Sequence, residues 1–333
     1  MTAVLFTCAG QRVDVVTAFS RAGGHTIAVD ANPLAPAIYH ADVHAVVPRI
    51  DEPDYLAALQ ELITEHDVKL VVPLTDLDQL LLAEHRDELD ALVLLPDADV
   101  IRRTADKYLA HLFFEQRGIP SPPSWLPEEL PPTLEFPVLV KARFGFGSRD
   151  IYRANDGREL EFFLGYSRTD SFVQRVCPGE EFSIDVFCDL DGRCLNSIPR
   201  TMIESKGGES IKGMTIKDPE LIEFGRRVSE ELGIRGPANV QCFRVAPDRH
   251  EVTDVNPRFG GAFPLPRAAG SRYPELALAL ARGERPEPRL GQFQEGVVMT
   301  RFFSHLSLAE NGDGRLAPFA EELPEPVAGE PAP

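Results

Sequence analysis

A chain of 333 residues, 43% of them hydrophobic, is long enough for two or three compact units with substantial cores. Its net charge of −18 excludes nucleic-acid or anionic-membrane binding driven by bulk electrostatics, and leaves room for a local basic site. No run of eighteen apolar residues is present, no basic leader precedes the first strand-like segment, and the five cysteines are scattered, so a cytoplasmic protein with reduced thiols is expected.

Residues 1–104 alternate strand and helix signals. Ala3–Thr7 is short and apolar, and Cys8-Ala-Gly-Gln-Arg12 leads into a helix to about Ala22. Thr26–Asp30 reads as a strand, Asp54–Glu65 as an amphipathic helix, and Lys69–Val72 as a buried strand closed by Pro73. Leu77–Leu89 is predicted helical, Ala91–Leu95 a strand, and Val100–Gln116 one continuous helix. This alternation predicts a parallel sheet covered by helices, with ligands bound beyond the strand carboxyl ends. The turn Cys8-Ala-Gly-Gln-Arg-Val13 has one glycine and not G-x-G-x-x-G, so no dinucleotide is expected. In Pro73-Leu-Thr-Asp-Leu-Asp78, Thr75 suits a helix N-cap, and Asp76 lies at the ligand edge, where it could meet a substrate ammonium group.

A Pro-rich connector over 119–132 marks a boundary. Val138–Ala142 is a strand ending at Lys141, followed by the glycine-bearing loop Arg143-Phe-Gly-Phe-Gly-Ser-Arg149. Gly145 and Gly147 would let backbone N–H groups approach a phosphate that Lys141 faces, although a plain hairpin turn fits the same residues. A helix near Gly157–Leu164 precedes the strand Ser171–Arg175, a Pro-Gly turn, and the strand Phe182–Cys188. Backbone groups around Arg175 and Val176 could pair with an adenine edge, and Glu181 could accept ribose hydroxyls, although an ordinary Pro-Gly hairpin fits this stretch better when it is taken alone. Residues 198–214 read as a Gly-Gly loop in which Arg200, Lys206 and Lys212 are candidate substrate-binding cations, with a solvated surface loop as the alternative. Pro219–Leu232 is a helix ending at Gly233, and the acidic, Pro-rich tail from about 316 is expected to be disordered.

Near the carboxyl end, Ala238–Val245 and Val252–Asn256 read as strands joined by a hairpin. Asp254 and Asn256 are two apart, so both side chains leave one face of a strand. The hairpin brings Gln241 beside them, and three oxygen-bearing side chains suit a hard cation such as Mg²⁺. Arg258 adds a fixed positive charge. Histidine and cysteine spacings give no hydrolase arrangement.

Taken in order, the dipeptide Asp106-Lys107, VLVKARFGFGS, FVQRVCPGEEFSIDV and NVQ…VTDVNPRFGG resemble the ATP-grasp superfamily. The likeness is to the branch of the carbamoyl-phosphate synthase large subunit and the lysine ligase of pyrrolysine biosynthesis. It implies α/β and α+β architecture: an N-terminal parallel-sheet pre-ATP-grasp domain (1–104), a small ATP-grasp subdomain (105–180), a larger subdomain with the metal site (181–315), and the tail (316–333). It further implies that Lys107 and Lys141 meet nucleotide phosphates and that Gly145, Gly147 and Ser148 belong to a lid over the triphosphate. Gln174, Arg175, Val176 and Glu181 would border adenine and ribose. Gln241, Asp254 and Asn256 would hold one or two Mg²⁺ ions, with Mn²⁺ as the alternative, and Arg258 would stand by the transferred phosphoryl group. Asp254 departs from the glutamate usual in the family. The expected activity is an ADP-forming ligase that joins small-molecule carboxylates and amines, amino acids or small peptides, through an acylphosphate. A homodimer is an admissible assembly, and no nucleic-acid or membrane partner is expected. The alternatives are a carbamoyl-phosphate-type kinase or ligase with another nucleophile, and a non-catalytic nucleotide-binding regulator.

Overall fold

A computed structural model describes residues 1–145, 150–206, 209–312 and 315–319. The first unit comprises β1 (Ala3–Thr7), α1 (Val13–Arg21), β2 (His25–Asp30), β3 (Val43–Val46), α2 (Tyr55–Glu65), β4 (Val68–Pro73), α3 (Gln79–Glu84) and β5 (Leu92–Val93). Its sheet runs β3-β2-β1-β4-β5 with every neighbouring pair parallel. All five residues of β1 are buried, as a central strand covered on both faces requires. The chain winds outward from β1 to β2 and β3, then returns on the other side through β4, which opens a crevice between the ends of β1 and β4. The turn 8–12 and the loop 74–78 meet there.

Two expectations need correction here. The stretch 77–89 is helical only over α3 and a short 3₁₀ turn at Arg86–Glu88, and Asp78, not Thr75, occupies the N-cap position. Thr75 Oγ instead accepts from the amide of Leu77 at 3.3 Å. The helix expected over 100–116 is two, α4 (Ala98–Ala105) and α5 (Lys107–Gln116). Asp106 breaks it: its backbone is extended, and its carboxylate accepts from the amides of Tyr108 and Leu109 at 3.0 and 3.3 Å. A carboxylate that satisfies the free N–H groups of a helix start makes a new N-terminus where periodicity alone would continue the old one. Lys107 thereby becomes the first residue of α5.

The second unit contains β6 (Ser124–Trp125), β7 (Val138–Ala142), β8 (Ile151–Ala154), α6 (Gly157–Tyr166) and β9 (Ser171–Arg175), in an antiparallel sheet of order β6-β9-β7-β8. It has its own small core of Val138, Val140, Ala154, Leu160 and Val173.

The third unit is an antiparallel sheet of order β11-β10-β14-β15. Its strands are β10 (Glu180–Cys188), β11 (Cys194–Thr201), β14 (Gly236–Ala246) and β15 (Arg249–Asn256). Between β11 and β14 come β12 (Glu204–Lys206), β13 (Glu209–Met214) and α7 (Pro219–Leu232). After β15 follow α8 (Pro264–Ala268), α9 (Tyr273–Ala281), β16 (Val298–Thr300), β17 (Leu308–Glu310) and β18 (Leu316–Pro318). The stretch 198–214, expected as a loop, is therefore mostly strand: β12 and β13 form a hairpin joined by β16. Leu316–Pro318, at the start of the segment expected to be disordered, pairs with β17, and residues 320–333 lie outside the described ones.

Helix α7 covers one face of the large sheet, where Phe182, Ile184, Val186, Val240 and Val252 bury against Leu221, Val228 and Leu232. Gly225 permits this contact, because a Cβ there would lie 2.6 Å from Ile184 Cγ2 and Ser197 Oγ. The opposite face is polar. A second core spans the first and third units, with Val4, Phe6, Phe19 and Val72 packing with Phe187, Phe259, Phe263 and Leu278. Phe19 meets Phe259 edge-on at 5.9 Å, and Phe259 meets Phe263 at 4.8 Å. Burying such a ring contributes roughly 1.5–3 kcal/mol, so the loop after β15 is fastened to the N-terminal sheet. No helix among the described residues is long and apolar enough to cross a membrane.

Candidate active site

Alternation along β10 and β14 sends apolar residues to α7 and polar ones to the free face. Gln241 stands opposite Asp254, and Asn239 opposite Asn256. The register slips between Gln241 and Cys242, which lets both Asp254 and Val252 keep their faces on a strand that strict alternation would have turned over. Gln241, Asp254 and Asn256 are thus neighbours on one surface. Their donor set, one carboxylate and two amide oxygens, is chemically suited to a hard divalent ion that keeps water or phosphate oxygens as further ligands. Asp254 is only 18% exposed and already faces a cation: Lys107 Nζ lies 3.2 Å from its Oδ2. The same ammonium donates to the carbonyl of Gly145 at 3.2 Å.

Lys141 approaches this surface from the small sheet. It is 7% exposed, and its ammonium donates to Gln174 Oε1 at 3.1 Å. Gln174 in turn donates to Ser124 Oγ at 3.0 Å, so its side chain holds the lysine. Burial lowers the Lys141 pKa, an effect the negative field of Asp254 opposes. A buried ammonium with one neutral acceptor is a cation short of an anion. Glu181 on β10 is half-buried, and burial raises its pKa while Arg200 and Lys141 pull it back.

The N-terminal unit supplies the far wall. Arg258 Nε lies 3.0 Å from both carboxylate oxygens of Asp76, and its terminal nitrogen is 3.5 Å from Asn256 Oδ1. The loop carrying Arg258 is held from the same side. Arg12 donates to the carbonyls of Phe259 and Gly260 at 2.9 and 3.1 Å, and Gln79 donates to that of Pro257 at 3.0 Å.

Of the expected site residues, Lys107, Lys141, Gln174, Glu181, Gln241, Asp254, Asn256, Arg258 and Asp76 cluster around this cleft. Gly145 has a φ of +140° and is held by Lys107, whereas Gly147 and Ser148 lie outside the described residues. Arg175 pairs with the buried Glu251, and its backbone N–H is committed to the carbonyl of Pro123 at 2.9 Å. Val176 is half-buried just beyond β9, with Arg175 before it. The loop cations fare differently. Arg200 is not on a loop but inside β11, 2% exposed, with Nε 2.8 Å from Asp185 Oδ2. Lys212 forms an exposed pair with Glu204 at 2.6 Å across the β12–β13 hairpin. Lys206 ends β12, and its side chain lies outside the description.

Sequence reasoning missed Asp185 and Asn239. Asp185 is fully enclosed, accepts from Asn239 Nδ2 at 3.1 Å, and receives Tyr273 Oη on its backbone carbonyl at 2.7 Å. Asn239 lies two residues before Gln241, and Asp185 four after Glu181, so polar residues at alternate strand positions were the available signal.

A small antiparallel sheet and a large antiparallel sheet with one polar face, set behind a parallel-sheet unit, define the ATP-grasp fold. The chain has this fold; residues 4–94 match the family model of the PylC-like N-terminal domain, and residues 167–302 that of the ATP-grasp in the biosynthetic pathway with Ter operon. Its curated relatives include the carbamoyl phosphate synthase large chain of Thermus thermophilus, 26% identical over an alignment 297 positions long that covers 82% of this chain. The chain spans only 28% of that relative's length. Among solved structures, Campylobacter jejuni biotin carboxylase superposes with a TM-score of 0.72 at 14% identity, covering 88% of this chain and 73% of that one. The L-amino acid ligase of Bacillus licheniformis gives 0.67 at 17% identity, covering 84% and 74%. N5-carboxyaminoimidazole ribonucleotide synthetase of Thermotoga maritima gives 0.66 at 17% identity, covering 86% and 77%.

Proposed function

We propose that this chain is an ATP-dependent, ADP-forming carboxylate–amine ligase that acts on amino acids or small peptides. The observation that carries the reading is convergence: two lysines from separate elements, three oxygen donors and one arginine surround a single cleft. In this reading ATP lies between the small and large sheets, with Glu181 at the ribose and Val176 beside the adenine. Lys107 and Lys141 meet the phosphates. Gln241, Asp254 and Asn256 would hold Mg²⁺, which when bound neutralises phosphate oxygens.

A substrate carboxylate oxygen attacks the γ-phosphorus, the bond to the β-phosphate oxygen breaks, and ADP leaves. The amine nitrogen then attacks the acyl carbon, the carbon–oxygen bond to phosphate breaks, and the amine loses a proton. The protein contributes position and charge, not a nucleophile. Arg258 neutralises the group in transfer.

With the matching acid and hydroxylamine in place of the amine, the enzyme should yield ADP and a hydroxamate. Oxygen-18 in the acid carboxylate should appear in the released phosphate. AMP as product, or ADP without label transfer, would overturn the mechanism. Kinship with carbamoyl phosphate synthase chains favours a second reading, in which bicarbonate is the acid phosphorylated. Bicarbonate-dependent ADP formation without any organic acid would select it. Nucleotide binding with no turnover on any acid would select a regulatory protein.

A further inference from the structure

Beside the Lys107–Asp254 pair lies a cavity of about 220 Å³. Its polar lining includes Asp76, Lys107 and Asn256. Leu77, Leu80, Ile101, Phe144, Val255 and Pro257 make the rest mainly apolar. Three of these are unusually open for their type: Leu77 is 55% exposed, Leu80 37% and Phe144 53%. Single apolar side chains on a surface need no explanation, but three around one concavity next to a charged cleft mark a place where apolar matter binds. A cavity for a drug-sized ligand runs roughly 300–1,000 Å³, so this one suits a single side chain.

The ion pair at its edge states what that side chain belongs to. Arg258 and Asp76 are 19% and 30% exposed, both within reach of a solute. Each can exchange its partner for one end of a zwitterion: the guanidinium for a carboxylate, Asp76 for an ammonium. Because Asp76 also lines the cavity, an ammonium held there places the side chain on the same carbon within reach of the leucines.

Resting on the ligase reading, we propose that this cavity is the side-chain subsite of the phosphorylated acid, and that this acid is an α-amino acid with an uncharged, apolar side chain. Leu80 sets the specificity, and Asp76 holds the amino group.

The test uses the full chain with MgATP and hydroxylamine, reading ADP and hydroxamate. Leucine or phenylalanine should exceed glutamate and lysine by about 10-fold or more in kcat/KM, the scale on which apolar pockets discriminate. Leu80→Asp should raise KM for leucine several-fold and leave KM for MgATP unchanged. Asp76→Asn should erase the preference for leucine over 4-methylpentanoate, its counterpart without the amino group. Equal turnover of charged amino acids, together with an unchanged leucine KM in Leu80→Asp, would overturn the subsite while leaving the ligase standing. If no acid is turned over, titration of leucine into the protein with MgADP decides. Binding lost in Leu80→Asp keeps the subsite without the ligase, and no binding to the wild-type protein overturns it.

Discussion

Lys107 and Asp254 close a 3.2 Å ion pair between the first turn of α5 and the last strand of the large sheet, 13% and 18% exposed. A pair this shielded holds a carboxylate ready but occupied. In the proposed reading Asp254 would help hold a divalent ion, whose charge would take the place of the ammonium and leave Lys107 free for phosphate. We predict that Asp254→Asn and Lys107→Met each reduce ADP formation by about 10²–10³-fold, the usual cost of deleting one electrostatic stabiliser. Turnover near the wild-type rate at saturating MgATP, with circular dichroism unchanged, would remove both residues from the site.

Arg12 and Gln79 reach from the N-terminal unit to three carbonyls of the loop 257–260, those of Pro257, Phe259 and Gly260, and the loop carries Arg258. Hydrogen bonds from a charged donor contribute about 1.5–3 kcal/mol. Arg12→Ala should lower the unfolding free energy by about 2 kcal/mol. It should also cut kcat more than KM for MgATP, since the lysines proposed to meet the nucleotide, Lys107 and Lys141, stand on other elements. Gln79→Ala should show the same pattern more weakly. Loss of MgATP affinity with kcat unchanged would place the effect elsewhere.

The chemistry-bearing strands were readable because their signals are local. Asp254 and Asn256 share a strand face by spacing alone, and the hairpin that brings Gln241 to them is short. What failed was anything set by distant packing. Seven of the eight residues of β11 are buried and it contains Pro199, so it shows no alternation, and its end at 198–201 reads as part of a loop, which makes Arg200 look like a free cation. β3 escaped notice because alternate residues are exposed, leaving only four residues of weak pattern. The holds from Arg12 span about 250 positions of chain, and no periodicity encodes them. Asp106 was legible in principle as a cap, but the apolar spacing on either side outweighed it.

Gly225 offers a test of the packing beneath the site. Alanine is favoured over glycine within a helix by about 0.8–1.0 kcal/mol, so propensity alone predicts stabilisation. The added Cβ would sit 2.6 Å from Ile184 Cγ2, between α7 and the strand that carries Glu181 and Asp185. Overpacking of this kind costs about 1–3 kcal/mol and should win. Gly225→Ala should lower the urea midpoint with little change in the m-value. A raised midpoint would mean that α7 moves away from the sheet without penalty.

The last prediction concerns Asp78, a fully buried carboxyl in the crevice below Asp76. It accepts from Tyr55 Oη at 2.8 Å, and Oδ1 has no partner among the described residues. Burial raises its pKa above the ordinary carboxylate value. In the unfolded chain the group titrates at about 3.9. Between that pH and the higher folded value, the folded state binds more protons than the unfolded one. Stability contributed by the protonated form is therefore lost as pH rises through this window, and the penalty is complete above it. Asparagine has nearly the same shape and no charge, and its side-chain oxygen can still accept from Tyr55. Asp78→Asn should have a higher urea midpoint than wild type at pH 8, and the difference should shrink as pH falls toward 4. All other ionisable groups are common to both proteins, so the difference isolates this one. A gap that widens toward low pH would show that the carboxylate form of Asp78 is the one the fold stabilises.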